Sequence, residues 1–187
     1  MWKFVQSASD KSNWLTSPKA LVAFIGRSNV GKSSLINALA KTTIARTSNT
    51  PGRTRLINYF IDENNNYYVD LPGYGYALMS KNDQQLMLEM IDEFLHQSSN
   101  LKTVVLLFDA RRGLGDYEEN ILEWAKQEDK HLILVATKLD KLNQSEKHQL
   151  KQNLLNKQLE NEVFFVSSTK KTNVNNLQQR LLAVFKS

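Results

Sequence analysis

The chain has 187 residues, a net charge of +5, and 41% hydrophobic and 23% charged residues. This composition is typical of one globular domain and excludes a fibrous or wholly disordered chain, and the lack of cysteine excludes disulfides and thiolate metal sites. Because no apolar stretch reaches the roughly 18 residues of a membrane span, and the N-terminus lacks a signal-peptide core, we predict a cytoplasmic protein that binds no membrane.

The predicted elements alternate between apolar strands and amphipathic helices. In chain order, strands are predicted at 20–25, 56–61, 67–69, 103–108, 132–136 and 163–166, and helices at 32–41, 83–97, about 116–127, 144–159 and 173–185. This order indicates an α/β fold with a six-stranded, mostly parallel sheet, one antiparallel edge strand and helices on both faces. We expect residues 1–19 to form an N-terminal extension packed on a single domain of residues 20–187.

The first motif is a phosphate-binding loop between the first predicted strand and the first predicted helix. It reads Gly26-Arg27-Ser28-Asn29-Val30-Gly31-Lys32-Ser33, the G-x-x-x-x-G-K-[S/T] pattern. In such a loop backbone N–H groups surround phosphate oxygens, Lys32 reaches the β- and γ-phosphates, and the Ser33 hydroxyl ligates Mg²⁺. The position between a strand and a helix argues against a chance match.

The second motif, Asp70-Leu71-Pro72-Gly73, follows the predicted strand 67–69. A carboxylate at that strand end can hold a magnesium-bound water, and the Gly73 N–H can contact a γ-phosphate. Most such tetrapeptides are only turns, but the order of the motifs favours a magnesium and γ-phosphate sensor.

The third motif, Thr137-Lys138-Leu139-Asp140, follows the predicted strand 132–136. The Asp140 carboxylate can accept from both N1–H and the amino group of guanine, whereas adenine presents an unprotonated N1, so the motif favours GTP over ATP. The Lys138 stem is expected to lie along the base, and Ser167-Ser168 offers a backbone N–H to guanine O6. The alternative is a surface Lys-Leu-Asp turn.

The ordered motifs resemble the EngB family of ribosome-assembly GTPases, within the TrmE-Era-EngA-EngB-Septin-like class of P-loop GTPases. Two stretches carry the specific likeness: Thr50-Pro51-Gly52-Arg53-Thr54 and Asp70-Leu71-Pro72-Gly73-Tyr74-Gly75-Tyr76. Thr137, where many GTPases have Asn, is also typical of this family.

The resemblance implies a GTPase that binds GTP or GDP with Mg²⁺. The implied nucleotide site comprises Gly26, Arg27, Ser28, Asn29, Val30, Gly31, Lys32, Ser33, Ser34, Gly52, Arg53, Thr54, Arg55, Leu56, Asp70, Leu71, Pro72, Gly73, Thr137, Lys138, Leu139, Asp140, Val166, Ser167 and Ser168. Ser33 and Thr54 are the implied metal ligands, and Lys32, Thr54 and Gly73 the implied catalytic residues. The implied partners are the large ribosomal subunit and its rRNA, with a need in cell division and septation; we expect a monomer that binds no DNA.

The two loops beside the γ-phosphate position, 42–54 and 71–82, are predicted switches, and Thr54 is expected to close onto magnesium only with GTP bound. Intrinsic hydrolysis is expected to be slow, because neither Tyr74 nor Gly75 can orient water as a Ras-type glutamine does. Asn29 resembles the asparagine with which potassium-activated GTPases hold K⁺, but it equally suits a loop backbone.

The charge is unevenly distributed along the chain. Residues 1–60 carry nine Lys/Arg and one acidic residue, whereas the remaining 127 residues have a net charge of −3. We therefore predict a face that docks on rRNA phosphates. The expected contacts are Lys41, Arg46, Arg53 and Arg55. Tyr59, Phe60, Tyr74 and Tyr76 are offered for base stacking, although strand alternation turns either Tyr59 or Phe60 towards the core.

Two questions remain open at this point. Asp109, Arg111 and Arg112 follow a predicted strand, and an arginine there either acts on the transition state or is merely solvated. The whole chain is a GTPase switch, a P-loop kinase or ATPase, or a non-hydrolysing GTP-dependent module of the division machinery. Asp140 and the short chain argue against the kinase, which needs a lid domain.

Overall fold

A computed structural model of the protein describes residues 1–16, 19–45, 56–75, 79–159 and 162–186. Within these ranges the strands are β1 Lys3–Ala8, β2 Leu21–Gly26, β3 Ile57–Ile61, β4 Tyr67–Asp70, β5 Leu101–Asp109, β6 His131–Thr137 and β7 Glu162–Phe165. The helices are α1 Lys32–Ala40, α2 Lys81–Gln97, α3 Asp116–Gln127, α4 Gln144–Asn156 and α5 Val174–Val184.

The strands form one mixed sheet in the order β1-β3-β4-β2-β5-β6-β7. Strand β3 runs antiparallel to both of its neighbours, and the other paired strands are parallel. The predicted α/β fold is confirmed, but two details of the prediction are wrong. The sheet has seven strands in the described residues rather than six, and the antiparallel strand lies second from the edge.

The additional strand, β1, lies in the N-terminal segment, for which the sequence predicts no strand. Of its six residues only Ala8 is buried, so the strand has no alternation of apolar and polar residues to reveal it. Its register with β3 also shifts between Phe4 and Gln6, which disturbs the two-residue period. Backbone pairing at the sheet edge, rather than side-chain burial, therefore makes β1 a strand.

The two faces of the sheet are covered by different helices. Leu21, Ala23 and Ile25 of β2 pack in the same apolar cluster as α2, α3 and α4. Val22 and Phe24 point the other way and pack with α1 and α5. This alternation along one buried strand is the reason that helices are needed on both faces. None of the helices in the described ranges is long and apolar enough to cross a membrane.

Two tryptophans attach the N-terminal segment to the rest of the structure. Trp2 is 6% exposed and stacks on Tyr68 with ring centroids 3.8 Å apart. The rings of Trp14 and Phe94 pack in a T-shaped arrangement with their centroids 5.1 Å apart. Large aromatic side chains bury much apolar surface, so these contacts stabilise the packing of residues 1–16 against the sheet.

Strands β2, β4, β5 and β6 are parallel, so their carboxyl ends meet at one edge of the sheet. Their last residues are Gly26, Asp70, Asp109 and Thr137. This edge is where ligands bind in open α/β sheets, and it brings the three sequence motifs together.

Candidate functional site

The loop from Gly26 to Gly31 has a backbone that tolerates few side chains. A Cβ on Gly26 would lie 2.9 Å from Val30 Cγ1 and 3.0 Å from the Leu107 carbonyl oxygen, closer than packed atoms approach. Gly31 has a φ of +103°, which glycine adopts without strain, and Asn29 has a φ of 61°. The loop therefore turns tightly between β2 and α1, with its backbone facing the sheet edge.

Lys32, the first residue of α1, pairs with Asp70 at the end of β4. The ammonium group hydrogen-bonds Asp70 Oδ1, and the two residues are only 9% and 5% exposed. A buried charge without a partner is costly, so each group stabilises the other in this conformation. The first and second motifs are thus joined by an ion pair at the point where sequence analysis predicted phosphate.

The second motif also touches the phosphate loop through its backbone. The Ser28 N–H donates to the Tyr74 carbonyl oxygen at 2.7 Å. A Cβ on Gly73 would lie 3.3 Å from Ser28 Cα, so only a glycine allows this approach without a shift. The Ser28 hydroxyl is buried and has no hydrogen-bond partner among the described residues.

Tyr74 is buried, which corrects the expectation that it stacks on RNA bases. It is 4% exposed, and its hydroxyl donates to Glu118, whose second carboxylate oxygen accepts from the Gly115 N–H at 3.0 Å. Burial and the neighbouring carboxylate raise the pKa of the Tyr74 hydroxyl far above its ordinary value. Tyr59 and Phe60 are also buried, at 0% and 2% exposure, so none of these three rings is available for stacking.

The third motif is attached to the phosphate loop on its other side. The Thr137 hydroxyl lies 2.6 Å from the Val30 carbonyl oxygen, and the Lys138 ammonium donates to the Asn29 carbonyl oxygen at 2.6 Å. The Leu139 N–H donates to the carbonyl oxygen of Val166 at 3.1 Å. Residues predicted to read the base are therefore fixed relative to those predicted to hold phosphate.

The Asp140 carboxylate is held by the segment that follows β7. The Ser167 hydroxyl donates to Asp140 Oδ1 at 2.6 Å, and Thr169 Oγ1 lies 3.5 Å from the same oxygen. The hydrogen bond from Ser167 is the main cause that lowers the pKa of Asp140. Asp140 is therefore an ionised acceptor at neutral pH, the state that guanine recognition needs.

Asp109, at the end of β5, has contacts that sequence analysis did not predict. Its carboxylate accepts from the Arg111 side chain at 2.6 and 3.0 Å and from the Lys138 ammonium at 3.0 Å. Burial alone would raise the pKa of Asp109, but the hydrogen bonds from Arg111 and Lys138 outweigh it and hold the pKa well below its usual range. The signal in the sequence was an acidic residue at the end of a buried strand, the same position as Asp70.

The other predicted site residues lie around these contacts. Arg27 and Ser34 are exposed, Ser33 and Ser168 are half-buried, and Leu71 and Pro72 are buried. Leu56 is 37% exposed. Gly52, Arg53, Thr54 and Arg55 lie outside the described residues, as do Arg46 and Tyr76. The predicted first switch and its magnesium ligand are therefore not tested by the structure.

The residues present at the phosphate end fit a nucleotide phosphate with Mg²⁺. Ser33 contributes a hydroxyl and Asp70 a carboxylate, the oxygen donors that magnesium prefers, and the Lys32 ammonium hydrogen-bonds the Asp70 carboxylate. In the described ranges no three acidic or histidine side chains form a metal cage. Magnesium here would need phosphate oxygens to complete its shell, as it commonly does in nucleotide sites.

Comparisons with known proteins show which family this chain is similar to. The family described as 50S ribosome-binding GTPase matches residues 21–138. A relative from Mycoplasmopsis pulmonis (strain UAB CTIP), named probable GTP-binding protein EngB, is 52% identical over 186 residues that span both chains in full. The crystal structure of a probable GTP-binding protein EngB matches with a TM-score of 0.73 at 27% identity, over 89% of this chain and 99% of that one. Era in complex with MgGDPNP and nucleotides 1506-1542 of 16S ribosomal RNA matches with a TM-score of 0.69 at 26% identity, over 88% of this chain and 56% of that one.

Proposed function

Because the chain belongs to the EngB family of GTP-binding proteins and is a GTPase, we propose that it is a slow nucleotide-dependent switch that docks on the large ribosomal subunit during assembly. The observation that carries the switch is the double attachment of the second motif to the phosphate loop. Lys32 pairs with Asp70, and Tyr74 accepts from the Ser28 N–H. A ligand that takes Lys32 away from Asp70 changes one of these attachments directly.

We assign the site as two ends of one nucleotide cleft. The phosphate end comprises residues 26–34 with 70–73, and the base end comprises residues 137–140 with 166–168. Asp140 accepts from guanine, and the Lys138 stem lies along the base. Residues 52–56 belong to the first switch by family resemblance, with Thr54 as a magnesium ligand.

The hydrolysis step uses few side chains of this chain. Lys32 leaves Asp70 and binds the β- and γ-phosphate oxygens, and the Gly73 N–H meets the γ-phosphate. Ser33 and Thr54 would hold Mg²⁺, which would supply positive charge beside the phosphate oxygens. Since the Tyr74 hydroxyl is bonded to Glu118 and Gly75 has no side chain, neither orients the attacking water. Slow intrinsic turnover follows, and a partner accelerates it.

The docking proposal is supported by charge. Nine of the 24 Lys/Arg residues and only one of the 19 acidic residues fall within residues 1–60. Lys41 is exposed at the end of α1, immediately before the predicted first switch. Contacts there with rRNA phosphates would connect the affinity for the ribosomal subunit to the bound nucleotide. The role in division and septation is proposed by family resemblance, as is a cytoplasmic location beside assembling ribosomes.

Cosedimentation with purified 50S subunits tests this function. We expect more binding with a non-hydrolysable GTP analogue than with GDP, and a loss of binding as salt rises. Lys41→Glu is expected to weaken binding and to reduce the salt slope by about one. Lys126→Glu, an exposed change at the end of α3, serves as the matched control. Binding that ignores both nucleotide and salt contradicts the proposal.

Single-turnover hydrolysis of GTP separates the switch from a module that only binds GTP. We expect added 50S subunits to accelerate the slow intrinsic rate, whereas a binding module would show no stimulated turnover.

The same assay in K⁺ and Na⁺ buffers tests a potassium site at Asn29. Equal rates in the two buffers would mean that Asn29 holds no K⁺ and that its φ of 61° serves only the loop backbone.

A further inference from the structure

The acidic side chain of Asp109 makes contacts with two cations in a part of the site that no motif covers. The side chain is 8% exposed. One carboxylate oxygen accepts from the Arg111 N–H and Nε, both at 3.0 Å. The other accepts from Arg111 Nη2 at 2.6 Å and from Lys138 Nζ at 3.0 Å. Both oxygens are therefore fully used by charged or backbone donors.

The same contacts fix the long side chain of Lys138. Its backbone has a φ of 58°, a left-handed conformation that is uncommon for residues other than glycine. Its ammonium group is held between the Asn29 carbonyl oxygen at 2.6 Å and Asp109 at 3.0 Å. A lysine side chain normally has many rotamers, and fixing them before a ligand arrives reduces the entropy lost on binding.

We infer that Asp109 is a positioning residue for nucleotide binding, which acts by holding Lys138 across the gap between the base end and the phosphate loop. This inference rests on the proposed nucleotide site. Asp109 itself touches no nucleotide in this scheme. Its carboxylate sets where the Lys138 ammonium lies, and so where the lysine stem lies relative to the base.

Arg111 is part of the same arrangement. Its guanidinium gives two donors to Asp109, which also accepts from Lys138, so the arginine is bound at the base end of the cleft. For Arg111 this contact is a third possibility beside the transition-state arginine and the solvated arginine that the sequence left open. Arg111 neutralises Asp109, which allows the nearly buried carboxylate to remain ionised beside Lys138.

Asp109→Asn tests the inference because asparagine keeps the shape of the side chain and removes its charge. We expect the affinity for a fluorescent GDP analogue to fall about 10-fold, since hydrogen bonds to charged groups are roughly twice as strong as neutral ones. Asp129→Asn, an exposed change in the turn before β6, is the matched control and should stay within about 2-fold. Thermal unfolding of each variant without nucleotide reports any loss of fold.

A double-mutant cycle distinguishes positioning from a general structural role. Lys138→Met keeps most of the stem and removes the ammonium group. If Asp109 acts through Lys138, Asp109→Asn should change GDP affinity less than about 2-fold in the Lys138→Met background. An equal loss in both backgrounds, or no loss in the wild-type background, overturns the inference. If Lys138→Met leaves GDP affinity unchanged, the proposed base-end role of Lys138 fails instead.

A second variant keeps the test decisive if Asp109→Asn does not fold. Asp109→Glu retains the charge and lengthens the side chain by one methylene, which displaces the Lys138 ammonium. We expect a smaller loss of GDP affinity, about 3-fold, that again disappears in the Lys138→Met background. A loss of the same size in both backgrounds overturns the inference here as well.

Discussion

The base end and the phosphate end of the cleft hold their charged side chains in different ways. At the base end Asp140 accepts from Ser167 at 2.6 Å, and Lys138 is held by the Asn29 carbonyl oxygen and by Asp109. The two charged motif residues at this end, Lys138 and Asp140, are thus held by other groups rather than by each other. At the phosphate end Lys32 and Asp70, both motif residues, are paired with each other.

This difference predicts that the two ends bind a ligand with different consequences. The base end is already organised, so guanine binding there requires little rearrangement. At the phosphate end the Lys32 ammonium group is already paired with Asp70. Binding of phosphate there must therefore replace this buried ion pair by a contact between Lys32 and phosphate oxygens. A switch needs such an element, whose partner depends on the ligand, and the exchange is coupled to the loop that contains Tyr74.

The largest expected effect comes from altering the organised end itself. Asp140→Asn replaces one acceptor by a donor facing the guanine amino group, so GDP affinity should fall about 100-fold or more. Xanthosine diphosphate should then bind better than GDP, because its C2 carbonyl accepts from the new amide. Competition titrations against a fluorescent GDP analogue measure both. Loss of binding to both nucleotides with an unchanged unfolding temperature contradicts guanine reading by Asp140.

A smaller effect, with a sign that depends on magnesium, is expected at the phosphate end. Asp70→Asn frees Lys32, so GDP affinity in excess chelator should rise about 3-fold. With Mg²⁺ present, the affinity for a non-hydrolysable GTP analogue should fall about 10-fold, because the carboxylate no longer supports the metal. The nucleotide-free protein should lose about 3 kcal/mol of stability, since the buried Lys32 ammonium loses its partner.

Two measurements test this sign change. Equilibrium titration with and without chelator gives the affinities, and denaturant unfolding gives the stability. Lys32→Met is the reference variant, expected to weaken binding under both conditions. An Asp70→Asn variant that weakens GDP binding equally with and without magnesium would show that the Lys32–Asp70 pair does not compete with phosphate.

The sequence predicted the parts of the fold and site that follow from local patterns. The continuous apolar run of residues 20–25 before Gly26 predicts a buried strand, and its side chains pack on both faces of the sheet. The motifs at Gly26, Asp70 and Thr137 each follow such a strand, so parallel pairing brings them to one edge. Family resemblance and strand position agree on this convergence.

The features that sequence analysis missed depend on contacts between distant segments. Strand β1 is defined by backbone pairing with β3 at the sheet edge, and it has no side-chain period to detect. The burial of Tyr74 depends on Glu118, which lies 44 positions further along the chain. Asp109 meets Lys138 only because β5 and β6 end side by side. No local pattern encodes these three meetings.

The smallest expected effect concerns Ser167. Its side chain holds Asp140 at the base end but is not predicted to touch the base itself. A change at Ser167 therefore tests how firmly the base end is organised compared with the phosphate end. Ser167→Ala removes the 2.6 Å hydrogen bond to Asp140, so GDP affinity at pH 7 should fall about 3-fold. That bond is the main cause of the lowered pKa of Asp140, so the variant carboxyl should protonate at a higher pH.

In the proposed function the Asp140 carboxylate accepts from guanine, so acidification should weaken GDP binding as this group takes up a proton. The loss should therefore begin at a higher pH in Ser167→Ala than in the wild-type protein. Because the pKa of Asp140 lies below the ordinary aspartate value of about 4, titrations between about pH 3 and 5.5 measure the shift. The control combines Ser167→Ala with Asp140→Asn and uses xanthosine diphosphate. Because no carboxylate remains at position 140, adding Ser167→Ala should not change the pH dependence of binding. If the pH at which GDP binding is lost does not change in Ser167→Ala alone, Asp140 is held by other groups. The base end would then be organised by the backbone rather than by this hydroxyl.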